Sequence, residues 1–378
     1  METIKGFRDF TGEDGEKFAI IREIARQVFE KYNFEEVQTP VIESEDFVRG
    51  DKTQAGDSAI SDIFTLKDKG DRNLALRYEF TFQLKRIAKN KKLPYKRFQI
   101  GPVFRDEPVQ GNRLRQFTQC DIDVIGSSVK EEGEVLSAIK KILDSLKIKS
   151  IIYVNNRKLL NEIISDYSKD AKDIIREIDK LDKLSEKEVK ENLKKFGAEK
   201  VLDILKQKEE YFKKYQGYRE IEELKKVCEQ YSIELKFSPF LARGLSYYTG
   251  NIFEIKSDIK ETICGGGSYE VDGVPSTGIS FSVERLMAVS KMKIDIEKYL
   301  VVSLGEDKKA IQLAQQLRNT GKNASVFYGK PSKALEYANS YKIKNVIFVG
   351  ADEVKKKIFM IKDMNSGKQK KLVILKKG

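Results

Sequence analysis

The sequence predicts an α+β protein, with a sheet-rich body, a helical insertion inside it and a small mixed α/β domain at the end. Three observations carry this. Residues 104–126 read as a β-hairpin built around charge: a strand, a polar basic turn and a return strand. Residues 166–232 are rich in Lys and Glu, hold no Pro and confine Gly to Gly197 and Gly217, so they read as helices with charged faces. Residues 299–378 alternate strand with helix, the pattern of a small mixed domain. The expected divisions are 1–165 and 233–297 for the two parts of the body, 166–232 for the insertion and 298–378 for the last domain.

The elements follow in order. Residues 13–33 place Phe18, Ile21, Ile24, Ala25, Val28 and Phe29 at helical spacing. An extended segment, 34–43, comes next, and its Pro40 suits a strand edge or an interface. Residues 59–66 and 73–77 read as short strands and 79–90 as a helix. On the return strand of the hairpin, the period of two puts Gln119, Asp121 and Asp123 on one face and Thr118, Cys120, Ile122 and Val124 on the other. A helix over 131–146 and a strand over 150–154 precede the insertion. Strand and glycine signals return at Phe237 and run through Gly273, and a helix starting near Phe281 carries Arg285. The last domain has strands at 299–303, 324–327 and 345–349. Its helices run to about 319 and near 333–341, and two strand-like runs flank Asn365-Ser366-Gly367.

Composition excludes several classes. With 378 residues, 40% hydrophobic and 34% charged, the chain is ordinary globular material with enough length for two or three domains. A formal charge of +12 and a pI near 9.2 favour a polyanionic partner, nucleic acid first. Cys120, Cys228 and Cys264 are odd in number and form no C-x-x-C, which argues against a disulfide framework or zinc site and fits a reducing cytoplasm. No apolar stretch approaches membrane-spanning length, so no membrane association is expected. The chain has no histidine, which rules out a Ser-His-Asp triad, an imidazole base and His-ligated metal. Catalysis must then rest on positioning and on charge stabilisation by Arg, carboxylates and a hard cation.

The motifs agree with that restriction. Arg105, Arg113 and Arg115 gather three permanent cations near one turn, a natural place for a polyphosphate. The acceptors along the return strand can take a nitrogen-bearing ligand beside it. Glu79 and Thr81 could hold an ammonium group, or simply begin a helix with an acidic first turn. Arg243-Gly244-Leu245-Ser246-Tyr247-Tyr248 sets a cation beside two phenols in a loop, and Gly265-Gly266-Gly267 permits close backbone approach or marks a bulge. Gly278–Leu286 reads as a strand entering a helix that bears Arg285.

Taken together, these segments resemble the class II aminoacyl-tRNA synthetases, and within them the histidyl-tRNA synthetase family. Residues 34–43 with Pro40, residues 104–117 and residues 278–286 are similar to the three motifs of the class. The family's Arg-Gly-Leu-Asp-Tyr-Tyr stands here as residues 243–248 with Ser246 for Asp, and its Gly-Gly-Arg-Tyr-Asp as residues 266–270 with Ser268 for Arg. Gln119-Cys120-Asp121-Ile122-Asp123 is similar to archaeal and eukaryotic members. The resemblance implies an antiparallel-sheet catalytic core and a C-terminal anticodon-binding domain, here without an obvious final helix. It implies that Arg105 and Arg243 grip the α-phosphate of ATP and that Arg113 and Arg285 hold the β- and γ-phosphates. Adenine would stack between Phe117 and Arg285, with Glu107 orienting the nucleotide. Glu79, Thr81 and Gln119 would bind the α-ammonium of histidine, and Asp123 and Tyr248 would read its imidazole, with Arg243, Tyr247 and Gly266 completing that pocket. The implied function is histidine–tRNA ligase, a homodimer that uses ATP and Mg²⁺ and acts on tRNA(His). Its terminal domain would dock the anticodon side and its basic insertion would flank the acceptor arm. The rival is a non-catalytic paralogue serving as a regulatory subunit.

Overall fold

The computed structural model describes residues 2–49, 62–109, 113–182, 184–243, 247–259 and 261–372, and divides into two compact units, Met1–Met292 and Lys293–Gly378. In the first unit the strands are β1 (Glu35–Glu36), β2 (Ile42–Ser44), β3 (Thr65–Lys67), β4 (Asn73–Leu76), β5 (Tyr95–Phe104), β6 (Gln116–Ile125), β7 (Ile151–Asn156), β8 (Leu235–Phe237), β9 (Asn251–Lys256), β10 (Cys264–Val271) and β11 (Val274–Ser282). Among the described residues, eight of these form one sheet in the order β1-β5-β6-β11-β10-β9-β7-β8. It is antiparallel except at its margins, where β1 runs parallel to β5 and β8 to β7. A small antiparallel sheet, β2-β4-β3, stands apart from it.

The period of two in these strands decides which face is core. Phe98, Ile100, Cys120, Ile122, Val124, Ile279 and Phe281 are buried together with residues of the helices Gly12–Lys31, Val129–Ser145 and Val283–Val289. Removing such side chains from water is worth about 1.5–3 kcal/mol each, which fixes register, because a one-residue slip would send the whole set to the other face. The helix Val129–Ser145 starts at a capping box: Ser128 N–H donates to Glu131 at 2.7 Å, and the Ser128 hydroxyl accepts from Lys130 N–H at 3.3 Å.

The opposite face carries the polar rows. Across the strands, Arg97 pairs with Asp123, Asp123 with Gly278, and Gly278 with Gly267. The next row is Gln99, Asp121, Ser280, Gly265 and Glu254, and the next is Gly101, Gln119 and Ser282. This face is carboxylate and amide at its centre and glycine along one side.

Two local readings shift. The first strand of the charged hairpin lies upstream, at β5, and Arg105 belongs to the connection that leads to β6. The helix expected over 79–90 is a single turn, Leu84–Ile87, so Glu79 and Thr81 sit in irregular chain between β4 and that turn. Arg77 holds this segment in place: it is buried, donates from Nε to Pro102 O and from Nη1 to Thr39 O, both at 2.7 Å, and lies over the Phe80 ring. Of the strand expected over 59–66, residues 59–61 lie outside the described residues and Thr65–Lys67 is strand.

From Arg157 to Gln230 the chain is helical in short pieces, including Ala171–Asp179, Glu186–Leu193, Val201–Leu205 and Gln216–Gln230. Ile174, Ile175, Ile178, Val189, Leu193, Leu202 and Leu205 face inward while Lys and Glu cover the outside.

The second unit holds β12 (Lys298–Ser303), β13 (Asn323–Tyr328), β14 (Asn345–Val349), β15 (Met360–Asp363) and β16 (Gln369–Lys371), in the order β13-β12-β14-β15-β16. The first three are mutually parallel, with the helices Asp307–Asn319 and Pro331–Ser340 contributing to separate hydrophobic clusters. The turn at 365–367 is held by Asp363, whose Oδ1 accepts from Asn365 N–H at 3.0 Å and Ser366 N–H at 2.7 Å. Residues 293–378 carry 19 Lys+Arg against 8 Asp+Glu, so nearly all of the net charge of +12 belongs to this unit.

Candidate active site

The polar face of the large sheet opens into a cavity of about 740 Å³. Its lining includes Arg105, Glu107, Arg113, Phe117, Arg285, Glu79, Thr81, Gln119, Asp123, Arg243, Tyr247, Tyr248 and Gly266, whereas Arg115, the third cation of the turn, is not among the lining residues and donates from Nε to Glu107 O at 3.1 Å. These lining residues come from five separate stretches of chain, and the sheet's register is what brings them together. Ser246 lies outside the described residues.

One side of the cavity is cationic. Arg105 lies over the Tyr78 and Phe117 rings, 4.4 and 5.1 Å from their centroids, and donates from Nη2 to Gln119 Oε1 at 3.3 Å. Arg113 Nη1 stands 3.2 Å from Glu107 Oε2. Arg285, in the first turn of Val283–Val289, donates from Nη1 to Thr262 O at 2.7 Å, and its backbone N–H is capped by the Ser282 hydroxyl at 3.1 Å. Burial, then the neighbouring cations Arg113 and Arg105, push the Arg285 pKa down. Like charges gathered on one wall are arranged for an anion with several negative oxygens.

Arg243 completes the cationic side by a different device. Its backbone φ is +49°, in the left-handed region, and its Nη1 is 3.1 Å from Glu254 Oε1. Burial alone would lower its pKa, but Tyr248, Glu254 and Tyr247 more than offset that, and the net direction is up. The guanidinium crosses the sheet where Gly265 has no side chain: a Cβ there would fall 2.6 Å from Arg243 Cζ and 2.9 Å from Nη2. Gly278 serves Asp123 in the same way, since a Cβ would lie 2.8 Å from the Asp123 Cγ. The neighbouring Gly266 offers only backbone to the cavity, and a Cβ would strike Phe253 and Ile279 on the other side.

The other side is acidic and buried. Glu79, Asp121 and Asp123 are buried, and burial raises the pKa of all three, that of Glu79 to about 7. Glu79 Oε1 and Asp121 Oδ1 have no hydrogen-bond partner among the described residues. Gln119 donates from Nε2 to Asp121 Oδ2 at 3.0 Å, which leaves its carbonyl toward Arg105. Buried acceptors without donors are costly, so this side is built for a ligand that brings N–H groups. Tyr247 and Tyr248 pack against one another, 4.7 Å between centroids, and Tyr247 against Tyr269 at 5.7 Å.

Three residues escape the sequence reading. Arg97 is fully buried with Nη2 at 2.6 Å from Asp123 Oδ2, and Tyr269 donates its hydroxyl to Asp123 Oδ1. Glu254 faces Arg243. Period-two alternation over 95–104, where Arg97 shares a face with Gln99 and Gly101, was the available signal, and a hairpin started at residue 104 cuts it off. Ser268, standing where the family carries Arg, donates its hydroxyl to Glu132 at 2.5 Å; Asn251 donates to the same carboxylate at 2.8 Å, and burial pushes its pKa to about 7.

Residues 6–286 match the family model for histidyl-tRNA synthetase, and residues 298–376 the model for an anticodon binding domain. The chain belongs to the histidyl-tRNA synthetases. Among curated relatives of this synthetase, histidine–tRNA ligase 1 of Bacillus cereus is 31% identical, over 98% of this chain and 95% of the relative. Histidine–tRNA ligase of Pyrococcus horikoshii is 32% identical, over 98% and 96%. Among solved structures, a histidyl-tRNA synthetase from Nostoc sp. superposes with a TM-score of 0.84 at 25% identity, over 99% of this chain and 97% of that one. A Bacillus halodurans protein titled as an ATP phosphoribosyltransferase regulatory subunit/histidyl-tRNA synthetase shares the fold, with a TM-score of 0.75 at 20% identity over 92% and 98%.

Proposed function

We propose that the cavity activates histidine with ATP and that the chain then passes the histidyl group to tRNA, as a histidine–tRNA ligase. The observation that carries this is one cavity with four arginines on one side and buried carboxyls on the other. In the first step a carboxylate oxygen of histidine attacks the α-phosphorus of ATP, the bond to the bridging oxygen breaks, and pyrophosphate leaves. Arg105 and Arg243 stabilise charge on the α-phosphate, and Arg113 and Arg285 hold the departing phosphates. Phe117 and Arg285 flank the adenine and Glu107 orients the nucleotide. Glu79, Thr81 and Gln119 take the α-ammonium. Asp123 and Tyr248 read the imidazole, and a substrate without ring nitrogens would leave buried Asp123 unpaired. In the second step a hydroxyl of the terminal ribose of tRNA attacks the carbonyl carbon and AMP departs. No protein histidine is needed, because in-line geometry and cation clamps do the work.

A hard cation suits the phosphate side, since Glu284 keeps Oε2 buried without a hydrogen-bond partner among the described residues and Glu107 lines the same cavity. Those two carboxylates would hold Mg²⁺, which would neutralise phosphate charge. The charge of residues 293–378 supports docking of the anticodon side of tRNA(His) there, whereas residues 166–232, with 17 Lys+Arg against 17 Asp+Glu, carry no net charge toward the acceptor arm. The exposed Val41 and Ile42 beside Pro40 support a homodimer through that segment, and three buried free cysteines fit the cytoplasm. The regulatory-paralogue reading is not favoured, because the relatives above 30% identity carry ligase names.

The deciding experiment is amino-acid-dependent ATP–pyrophosphate exchange with all twenty amino acids and no tRNA. Exchange with histidine alone is expected. Exchange with none would remove the ligase reading.

A further inference from the structure

We propose that Arg97 is the positioning residue of the amino-acid pocket, holding Asp123 as a fixed anion against which the substrate imidazole is read. This rests on the reading of Asp123 given above. Arg97 and Asp123 are direct cross-strand partners on β5 and β6, and both are buried. Their 2.6 Å approach is an ion pair not aligned as a hydrogen bond, so Asp123 Oδ2 keeps acceptor capacity while its charge is compensated. Arg97 makes one further contact among the described residues, from Nη2 to Phe80 O at 3.3 Å, and its Nε and Nη1 have no hydrogen-bond partner. The guanidinium thus makes its closest approach to the Asp123 carboxylate, while its charge also reaches Asp121 and Glu79.

The groups facing Asp123 show why a cation is required. Asp121 lies two residues away on β6, Glu79 comes from the chain after β4, and Tyr269 donates from β10. Three buried carboxyls lining one cavity favour taking up protons. A protonated Asp123 would present a donor where the imidazole needs an acceptor for its N–H. Arginine is the one cation that burial cannot neutralise at working pH, so it holds that choice permanently. Lysine at this position would give up charge more readily, and a neutral residue would give it up altogether.

The test uses the full chain with Arg97→Met, Arg97→Lys, Asp123→Asn and the double variant Arg97→Met/Asp123→Asn. Histidine-dependent ATP–pyrophosphate exchange is followed from pH 7 to 9, above the titration of the substrate's own imidazole. Arg97→Met should raise KM for histidine on the order of tenfold to a hundredfold at pH 7, with KM for ATP unchanged and the defect shrinking as pH rises. Arg97→Lys should recover most of the loss. The double variant should show a raised KM whose ratio to that of wild type is the same at pH 7 and 9, since both keep Glu79 and the same substrate ammonium, and it decides the matter even where Arg97→Met does not fold. A wild-type KM for histidine in Arg97→Met, or a defect equal at pH 7 and 9 and untouched by Lys, would reduce Arg97 to a structural role and overturn the proposal. An unchanged KM in Asp123→Asn alone is a separate result, which removes the reading of Asp123 itself.

Discussion

Gly265→Ala adds one methyl group, and the structure states where it goes. The new Cβ would lie 2.6 Å from Arg243 Cζ and 2.9 Å from Nη2, against an ordinary carbon contact of about 3.5–4.0 Å. Nη1 would be closer still, so the guanidinium must retreat by more than about an ångström. It cannot do so freely, because Glu254, the cross-strand partner of Gly265, holds its Nη1 at 3.1 Å. A displacement of that size in a charge clamp costs about a hundredfold in rate, or ~2.7 kcal/mol of transition-state stabilisation. Overpacking should cost about 1–3 kcal/mol of stability in addition. Histidine-dependent pyrophosphate exchange should show kcat reduced near a hundredfold, with a melting temperature lowered by only a few degrees and cooperative unfolding retained. Gly273→Ala, at a position where a Cβ meets nothing within 4 Å but φ is +78°, controls for backbone strain and should keep its exchange rate. A Gly265→Ala enzyme that exchanges at the wild-type rate would show that Arg243 is not the α-phosphate clamp.

Burial pushes Glu79, Glu132 and Glu284 each to about 7. Their folded pKa values exceed the unfolded one, so the stability they contribute is complete below about 4.5 and is lost as pH rises through 7. The melting temperature should therefore fall between pH 5.5 and 8, and Glu79→Gln should flatten part of that slope; a Glu79→Gln slope equal to wild type would refute the assignment. Ionised Glu79 is also the form that meets an ammonium group, so KM for histidine should fall as pH rises through 7, and Glu79→Gln should abolish that limb. Ser268→Ala removes a donor from buried Glu132 and should destabilise the chain by about 1–3 kcal/mol, read by thermal unfolding, while KM for ATP stays unchanged. Raising salt from 50 to 200 mM should weaken tRNA in the aminoacylation assay by orders of magnitude and leave tRNA-free pyrophosphate exchange nearly constant, because the uncompensated cations lie in residues 293–378.

Much of the site was legible because its signals are local. Gln119, Asp121 and Asp123 share a face by the period of two alone, and Cys120, Ile122 and Val124 behind them are core, as that period requires. The alternation of strand and helix after residue 298 likewise needs only short windows. The reading weakened where local preference and tertiary burial compete. Residues 79–90 have helical composition, yet Arg77 pins their start to Pro102 and Thr39, and only Leu84–Ile87 turns as helix.

The sequence by itself determined the family resemblance, the chemistry open to a chain without histidine, and which residue types each strand turns outward. Those properties belong to single residues and to spacings of two to four along the chain. Tertiary structure alone decided that Arg97 stands against Asp123, that Gly265 clears a path for Arg243, and that Ser268 answers to Glu132. Each of these joins residues from about twenty to more than a hundred positions apart. Such neighbours are chosen by the burial of the shared apolar face, a sum over the whole sheet that no short window of sequence contains.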